Sequence, residues 1–368
     1  MRIKRFRAEN FRNIEGCDIS FCPGVNLLYG KNAQGKTNVI EGIYYFSRGK
    51  SFRGRDDKEL VRFGSEGFRI LLDFADECGD CSLEYAMFGK ERLRKKNGYK
   101  ISKVTEMIGS FKAVLFYPDN LSLVKDGPEE RRNFINIAAS NCYPMYIKYY
   151  ADYKKALENR NCILKMMQKG LYVDPTELDS WSSSMAEYAS HIHLFRKDYV
   201  ERLTKYSGEI LKDISDGNES LTLSYESHIP CDIVERLEIK REYEKLLSSS
   251  LDREIAAGIT LYGPHRDDLE ILINGKSARS FASQGQQRSI VLALKLSEGE
   301  VIREIFGEYP VFLFDDVLSE LDEKRRKYVL EGRGDRQIII TCCEPNECLG
   351  FTDNEIEVTG GRYVSSHR

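Results

Sequence analysis

The sequence predicts an α/β nucleotide-binding fold assembled from both ends of the chain, with an antiparallel β lobe and an inserted all-helical domain. Three observations predict it. Gly30-Lys31-Asn32-Ala33-Gln34-Gly35-Lys36-Thr37 fits the phosphate-binding pattern G-x-x-x-x-G-K-[ST] and lies between an apolar run and a helical one. Much later, Val311-Phe312-Leu313-Phe314 runs apolar into Asp315-Asp316, as a strand buried on both faces of a parallel sheet does. Between these ends glycine becomes sparse, and apolar residues recur every three or four positions, the period of a helix.

At 368 residues the chain is long enough for two or more domains with substantial cores. Charged residues make up 31 % and hydrophobic residues 41 %, the balance of a soluble globular protein. No apolar run approaches the length of a membrane span, and Met1-Arg2-Ile3-Lys4-Arg5-Phe6 reads as an amphipathic strand without a signal-peptide core. A cytoplasmic protein with reduced thiols is therefore expected. Net charge is −3, so any polyanion site must be a local patch. Among the ten cysteines, Cys78-Gly79-Asp80-Cys81 is the one C-x-x-C. It lacks the second pair, or the histidines, that a zinc site needs. His191 and His193 point to different sides of a helix and make a poor metal pair.

Each element follows from its local pattern. Residues 3–10 and 18–21 read as strands, and Val25-Asn26-Leu27-Leu28-Tyr29 as the strand entering the glycine loop. Val39, Ile40, Ile43, Tyr44 and Phe46 then mark one face of a helix. Residues 68–74 and 81–88 form an antiparallel pair. Asn97-Gly98 closes a hairpin dense in cations, among them Arg92, Arg94, Lys95 and Lys96. That hairpin is either a solvated turn or a contact for phosphate backbone. Residues 1–118 thus form the first part of the nucleotide-binding domain and its β lobe. Residues 119–250 form the helical insertion, two antiparallel arms broken by a polar turn at 170–175. Its tyrosines stand at core spacing. Residues 251–368 return to α/β character, with a polar cap at Ser283 before a long helix and a further buried strand, Gln337-Ile338-Ile339-Ile340-Thr341.

The chemistry concentrates at the glycine loop. Its backbone N–H groups and the following helix N-terminus favour phosphate. Lys36 would reach the β- and γ-phosphates, and the Thr37 hydroxyl would sit on Mg²⁺. Such a loop needs a neighbouring strand ending in an acid for Mg²⁺, a place Asp315 fills, with Asp316 following as the water-positioning carboxylate.

The order of motifs resembles the ABC-type ATPase heads of the SMC and RecF families. These motifs are the P-loop, Ser283-Gln284-Gly285-Gln286-Gln287 before a helix, the Asp-Asp strand, and Ser319-Glu320-Leu321-Asp322. The short insertion is similar to that of the RecF family. So are the blocks Gly49-Lys50-Ser51-Phe52-Arg53, Phe116-Tyr117-Pro118-Asp119, Gly127-Pro128-Glu129-Glu130-Arg131-Arg132 and Gly263-Pro264-His265-Arg266-Asp267-Asp268. The resemblance implies that Ser283, Gly285 and Gln286 belong to a signature motif contacting ATP held by a second subunit. It makes Asp322 a D-loop acid at that interface and places Arg12 and Asn13 on the nucleotide. It also implies an ATP-driven homodimer that binds single-stranded and gapped DNA, hydrolyses ATP slowly under DNA stimulation, and works with RecR and RecO in recombinase loading and the SOS response.

Three positions depart from the wider ABC pattern. Asp316 stands where transporter-type heads carry Glu, Thr341-Cys342-Cys343 where many carry a switch His, and no Q-loop glutamine lies near Phe116-Tyr117-Pro118. An ABC ATPase acting on a non-DNA partner such as a transporter is the alternative reading. The large insertion and the missing switch His speak against it. A GTPase would need N-K-x-D, which is absent.

Overall fold

The computed structural model describes residues 1–54, 56–230, 232–331, 334–345 and 350–367. Arg55, a further DNA candidate beside Arg53 in the basic stretch after the helix that follows the glycine loop, lies outside them, as do Cys231 and Cys348. The chain opens with β1 (Arg2–Phe11), β2 (Ile14–Ser20), β3 (Val25–Tyr29) and α1 (Lys36–Arg48). There follow β4 (Gly67–Asp76), β5 (Gly79–Phe88), β6 (Glu91–Lys96), β7 (Tyr99–Lys100), α2 (Val104–Ile108) and β8 (Ala113–Phe116). The middle holds α3 (Ser122–Lys125), α4 (Pro128–Cys142), α5 (Pro144–Gln168), α6 (Pro175–Ile214), β9 (Leu221–Glu226), α7 (Arg236–Ser249) and α8 (Leu251–Ala257). After it come β10 (Asp268–Ile273), β11 (Lys276–Ser277), α9 (Ala278–Phe281), α10 (Gln284–Phe306) and β12 (Val311–Asp315). The chain closes with α11 (Glu323–Glu331), β13 (Ile338–Cys342), β14 (Asn354–Thr359) and β15 (Arg362–His367).

Two compact units divide these elements. The first comprises residues 1–121, 209–218 and 283–368 and holds two six-stranded sheets. One is antiparallel, in the order β2-β1-β4-β5-β6-β7. The other, β15-β14-β3-β13-β12-β8, is parallel except for β15. Every residue of β12 and β13 is buried, as expected of central parallel strands, and so is every residue of β8 at the sheet's edge. Helix α1 packs against strands of both sheets. Its Val39, Ile40, Ile43, Tyr45 and Phe46 join Phe6, Phe11, Phe68, Ile70 and Leu313 in one core. The helix that carries the phosphate loop is thus fixed on nearly all sides.

The second unit comprises residues 122–208 and 219–282. Tyr149 stacks on His191, and Arg160 Nε donates to Ser182 Oγ at 2.9 Å, so α5 and α6 run antiparallel as expected. Tyr146, Tyr153 and Tyr243 are fully buried, in the core role their spacing predicted. The unit departs from an all-helical insertion in one respect: it contains a three-stranded antiparallel sheet, β11-β10-β9. Its boundary moves accordingly. Residues 251–282 belong with the helices, because β10 pairs with β9 over six registered positions and packs on α4. Residues 209–218, the end of the second arm, belong to the first unit.

Candidate functional site

The glycine loop joins β3 to α1, and its geometry explains both glycines. Gly30 (φ 148°) and Gly35 (φ 109°) occupy backbone conformations that side chains disfavour. A Cβ on Gly30 would lie 2.3 Å from the Val358 carbonyl oxygen, and one on Gly35 would lie 2.9 Å from Tyr363 Oη. Ala33 between them also has positive φ. The loop is gripped residue by residue. Asn32 Oδ1 accepts from Cys343 Sγ at 3.0 Å and the Ala33 carbonyl from Asn13 Nδ2 at 3.0 Å. Gln34 Oε1 accepts from the Gly360 N–H at 2.6 Å. The hairpin β14–β15 therefore braces the loop at Gly30, Gln34 and Gly35, a role no sequence pattern announced. No side chain caps α1, so its first-turn N–H groups keep their affinity for an external anion.

Lys36, only 3 % exposed, turns its Nζ back onto the loop, donating to the Gly30 and Lys31 carbonyls at 2.7 and 3.1 Å. Thr37 Oγ1 donates to Asp315 Oδ1 at 2.9 Å, and Thr341 Oγ1 donates to the same oxygen at 2.8 Å. The Asp316 N–H donates to Thr341 Oγ1 at 3.0 Å. Burial pushes the Asp315 carboxyl above its ordinary pKa; the hydrogen bonds from Thr341 and Thr37 work against that, and neighbouring Asp316 adds to it. A desolvated carboxylate and a hydroxyl side by side, with oxygen donors only, suit a hard cation that keeps water and phosphate ligands. No cluster of three or more metal-binding side chains exists among the described residues, and a site completed by a ligand's own oxygens needs none. Asp316 has φ 51°, a strained value of the kind that gathers at functional sites.

Arg12 and Asn13 part company. Asn13 touches the loop directly and accepts from Asn38 Nδ2 at 2.6 Å. Arg12 instead spans Glu41 with Nε and Nη2, at 2.9 and 2.6 Å. Glu41, fully buried on α1, also accepts from Ser51 Oγ, while Arg53 stands 3.8 Å away. Sequence reasoning missed Glu41, although a carboxylate between Ile40 and Ile43 on an apolar helix face was its signal.

Ser283 and Gln286 form a capping box at the start of α10: the Ser283 N–H donates to Gln286 Oε1 at 2.9 Å, and the Gln286 N–H to Ser283 Oγ at 3.2 Å. Beside them, a Cβ on Gly285 would meet nothing closer than Arg325 Nη2 at 3.9 Å, so this chain's own packing gives no reason for a glycine there. Asp322 accepts from Arg325, whose guanidinium continues to Ser289 Oγ and the Gly285 carbonyl. The signature stretch and Asp322 are thus one cluster, and the P-loop, Asp315 and Asp316 another.

The cationic hairpin is less open than its composition suggests. Arg92, Arg94 and Lys96 pair with Met87, Tyr85 and Leu83 across β5, which places them on the face that carries the core. Arg92 lies 3.5 Å from Asp57, the Arg94 guanidinium covers the Tyr85 ring, and Lys95 lies 3.2 Å from Glu84.

Residues 2–360 match the family profile described as RecF/RecN/SMC N terminal domain. The chain is 39 % identical over 362 residues to the DNA replication and repair protein RecF of Clostridioides difficile, covering 97 % of this chain and 96 % of that one. It is 39 % identical over 368 residues to the RecF of Acetivibrio thermocellus, covering 98 % and 99 %. Among solved structures, the recombination mediator protein RecF with ATP, of the RecFOR pathway, superposes with a TM-score of 0.92 at 35 % identity, covering 99 % of this chain and 97 % of that one. The Smc head of Pyrococcus furiosus (TM-score 0.58, 16 % identity, covering 100 % and 96 %) shares the fold.

Proposed function

This chain belongs to the RecF family of DNA replication and repair proteins, and from that premise we propose that it is an ATP-dependent, dimerising DNA-binding protein that uses slow ATP hydrolysis as its reset. The observation that carries the reading is the junction of Thr37, Asp315 and Thr341 beneath a braced P-loop. The solved relative with ATP supports the choice of nucleotide.

In this reading Lys36 exchanges the Gly30 and Lys31 carbonyls for the β- and γ-phosphate oxygens. Thr37 and Asp315 hold Mg²⁺, which when bound neutralises phosphate charge. Asp316 orients the attacking water, and Thr341 holds the Asp315 carboxylate and the Asp316 backbone in place. Asn13 lies against the loop as a nucleotide neighbour, whereas Arg12 acts through Glu41.

Gly285, in the first turn of α10 with free space where a Cβ would stand, supports the dimer: a second subunit's γ-phosphate would approach where a side chain would intrude. ATP would then bind the closed dimer better than two monomers, and mass action turns that difference into association. Asp322 would stand at the same interface. The protein would act in the cytoplasm on single-stranded or gapped DNA, with RecR and RecO as partners, in recombinase loading and SOS induction. Among the described residues no helix is long and apolar enough to cross a membrane.

Sedimentation with no nucleotide, with ADP and with a slowly hydrolysed ATP analogue, followed by DNA binding in the same three states, tests this. A dimer and DNA binding that both require the ATP state are expected. Equal association in all three states would sink the switch.

A further inference from the structure

Two of the sequence blocks, residues 127–132 and 263–268, take no part in the nucleotide site, yet the second unit ties them together. Buried Arg131 spans Asp268, with Nε and Nη2 at 2.8 and 2.9 Å from its two carboxylate oxygens. Its neighbour Arg132 donates from Nη1 to the Asp267 carbonyl at 2.9 Å. Behind the 263–268 loop, Arg196 donates to the Pro264 carbonyl at 2.7 Å and Tyr225 Oη to Asp267 Oδ2. Tyr153 Oη stands 2.6 Å from His265 Nδ1, and His265 Nε2 lies 3.1 Å from the Thr260 carbonyl. A carbonyl only accepts, so Nε2 carries the proton and Nδ1 accepts from the tyrosine. The loop is held rigidly from within.

Around it, Arg132 of α4, Lys154 of α5 and the loop's own Arg266 gather positive charge. Arg266 and Lys154 are exposed and Arg132 is half-buried. All three lie near His265: burial, and then these cations, hold its pKa down at about 4. None of the three forms an ion pair among the described residues, whereas Arg131, Arg160 and Arg196 of the same unit all face carboxylates. Arg132 and Arg266 are anchored by backbone carbonyls alone, Arg266 Nη2 lying 3.5 Å from the Thr260 oxygen. Arg132 also lends charge to buried Asp267, but most guanidinium donors of the pair, and the charges of exposed Arg266 and Lys154, are left over. Like charges gathered from α4, α5 and the rigid loop repel one another until an anion sits among them.

We propose that Arg132, Lys154 and Arg266 on the second unit contact the phosphate backbone of DNA. This assignment rests on the DNA-binding reading above. Pre-anchored arginines suit phosphate oxygens, and such contacts position a nucleic acid without reading its sequence. The hairpin cations make poorer candidates, because Arg92 and Lys95 already face carboxylates.

The test is the exposed pair, Lys154→Gln with Arg266→Gln, in fluorescence anisotropy against gapped DNA over a salt series with ATP and Mg²⁺. The double variant should bind ATP as wild type does, bind DNA about tenfold more weakly, and lose about two units of slope in the salt dependence. The charge-keeping pair, Lys154→Arg with Arg266→Lys, should restore most of the affinity. Unchanged affinity and slope in the Gln pair, with wild type binding normally, would remove this site alone. A wild type that binds no DNA in any nucleotide state would remove it together with the function it rests on.

Discussion

Arg325 grips Ser289 with two nitrogens, Nη2 at 2.7 Å and Nε at 2.9 Å from the hydroxyl oxygen, while its Nη1 holds Asp322. One side chain thereby couples the acid after β12 to the first turns of α10. If both stretches meet the second subunit's ATP, they must move as one body. Arg325→Ala should leave ATP binding by the monomer close to wild type and weaken ATP-driven dimerisation and turnover together by about tenfold, or ~1.4 kcal/mol. Sedimentation beside a nucleotide-binding assay reads both. Dimerisation equal to wild type would reduce the tether to local packing.

Lys36 is the point charge aimed at the phosphates, and its ammonium also satisfies two loop carbonyls. Lys36→Ala should cost roughly 2 kcal/mol of stability, since two hydrogen bonds from a charged donor are lost and the burial of that charge offsets part of their worth. Its ATP affinity should fall by at least about a hundredfold, because binding depends on a charge the loop cannot replace. Thermal melting and equilibrium nucleotide binding separate the two effects. Wild-type affinity would displace the phosphates from this loop.

Asp315 offers a pH dependence with a definite sign. Burial raises its folded pKa above the unfolded value, so the fold disfavours the ionised form. The resulting penalty is absent below the unfolded pKa of about 3.9, grows as pH rises from there, and is complete above the folded pKa. At pH 7 Asp315→Asn should therefore melt at least as high as wild type without nucleotide, by up to a few degrees. The same variant should lose Mg²⁺-dependent ATP hydrolysis. In wild type, Mg²⁺-dependent ATP affinity should weaken as pH falls toward the raised pKa, since a proton competes with the cation for one carboxylate. Mg²⁺-dependent affinity that stays flat as pH falls to the limit of the fold's stability would overturn this assignment of the cation site.

Local pattern made much of the molecule legible. The P-loop octet needs glycines where the backbone takes positive φ, and β12 and β13 declare themselves by apolar runs with no alternation. What escaped depends on partners distant in sequence. Leu221-Thr222-Leu223-Ser224-Tyr225 alternates as a strand should, but the strand it pairs with starts at Asp268, beyond two helices. Glu41 finds Arg12, and Arg325 finds Ser289, only once the fold exists. Thr341 drew notice as the place without a histidine, while its hydroxyl is what links Asp315 to Asp316. The cationic hairpin was read by composition. Its strand alternation, with Arg94 opposite Tyr85, would have turned half of it toward the core.

Asp316 allows the cleanest separation of binding from chemistry. Its φ of 51° lies in the left-handed region, which asparagine tolerates better than most residues. Asp316→Asn therefore keeps the backbone, and with it the N–H bond to Thr341 Oγ1, and removes only the charge. Asp316→Ala would add about 1 kcal/mol of backbone strain and blur the result. A carboxylate that orients and deprotonates water contributes roughly 10²- to 10⁴-fold to the rate, so turnover by the asparagine variant should fall by at least about a hundredfold. ATP binding and ATP-driven dimerisation should persist, because neither uses that charge. The variant should then accumulate as a long-lived dimer on DNA, since the reset is the step it lacks. Thr341→Val offers the companion measurement. It deletes the hydroxyl that positions both acids, so it should slow turnover and weaken Mg²⁺-dependent binding together. If Asp316→Asn hydrolyses ATP at the wild-type rate while Thr341→Val does not, the hydroxyl's work is on Asp315 and the cation, and Asp316 is not the water's partner.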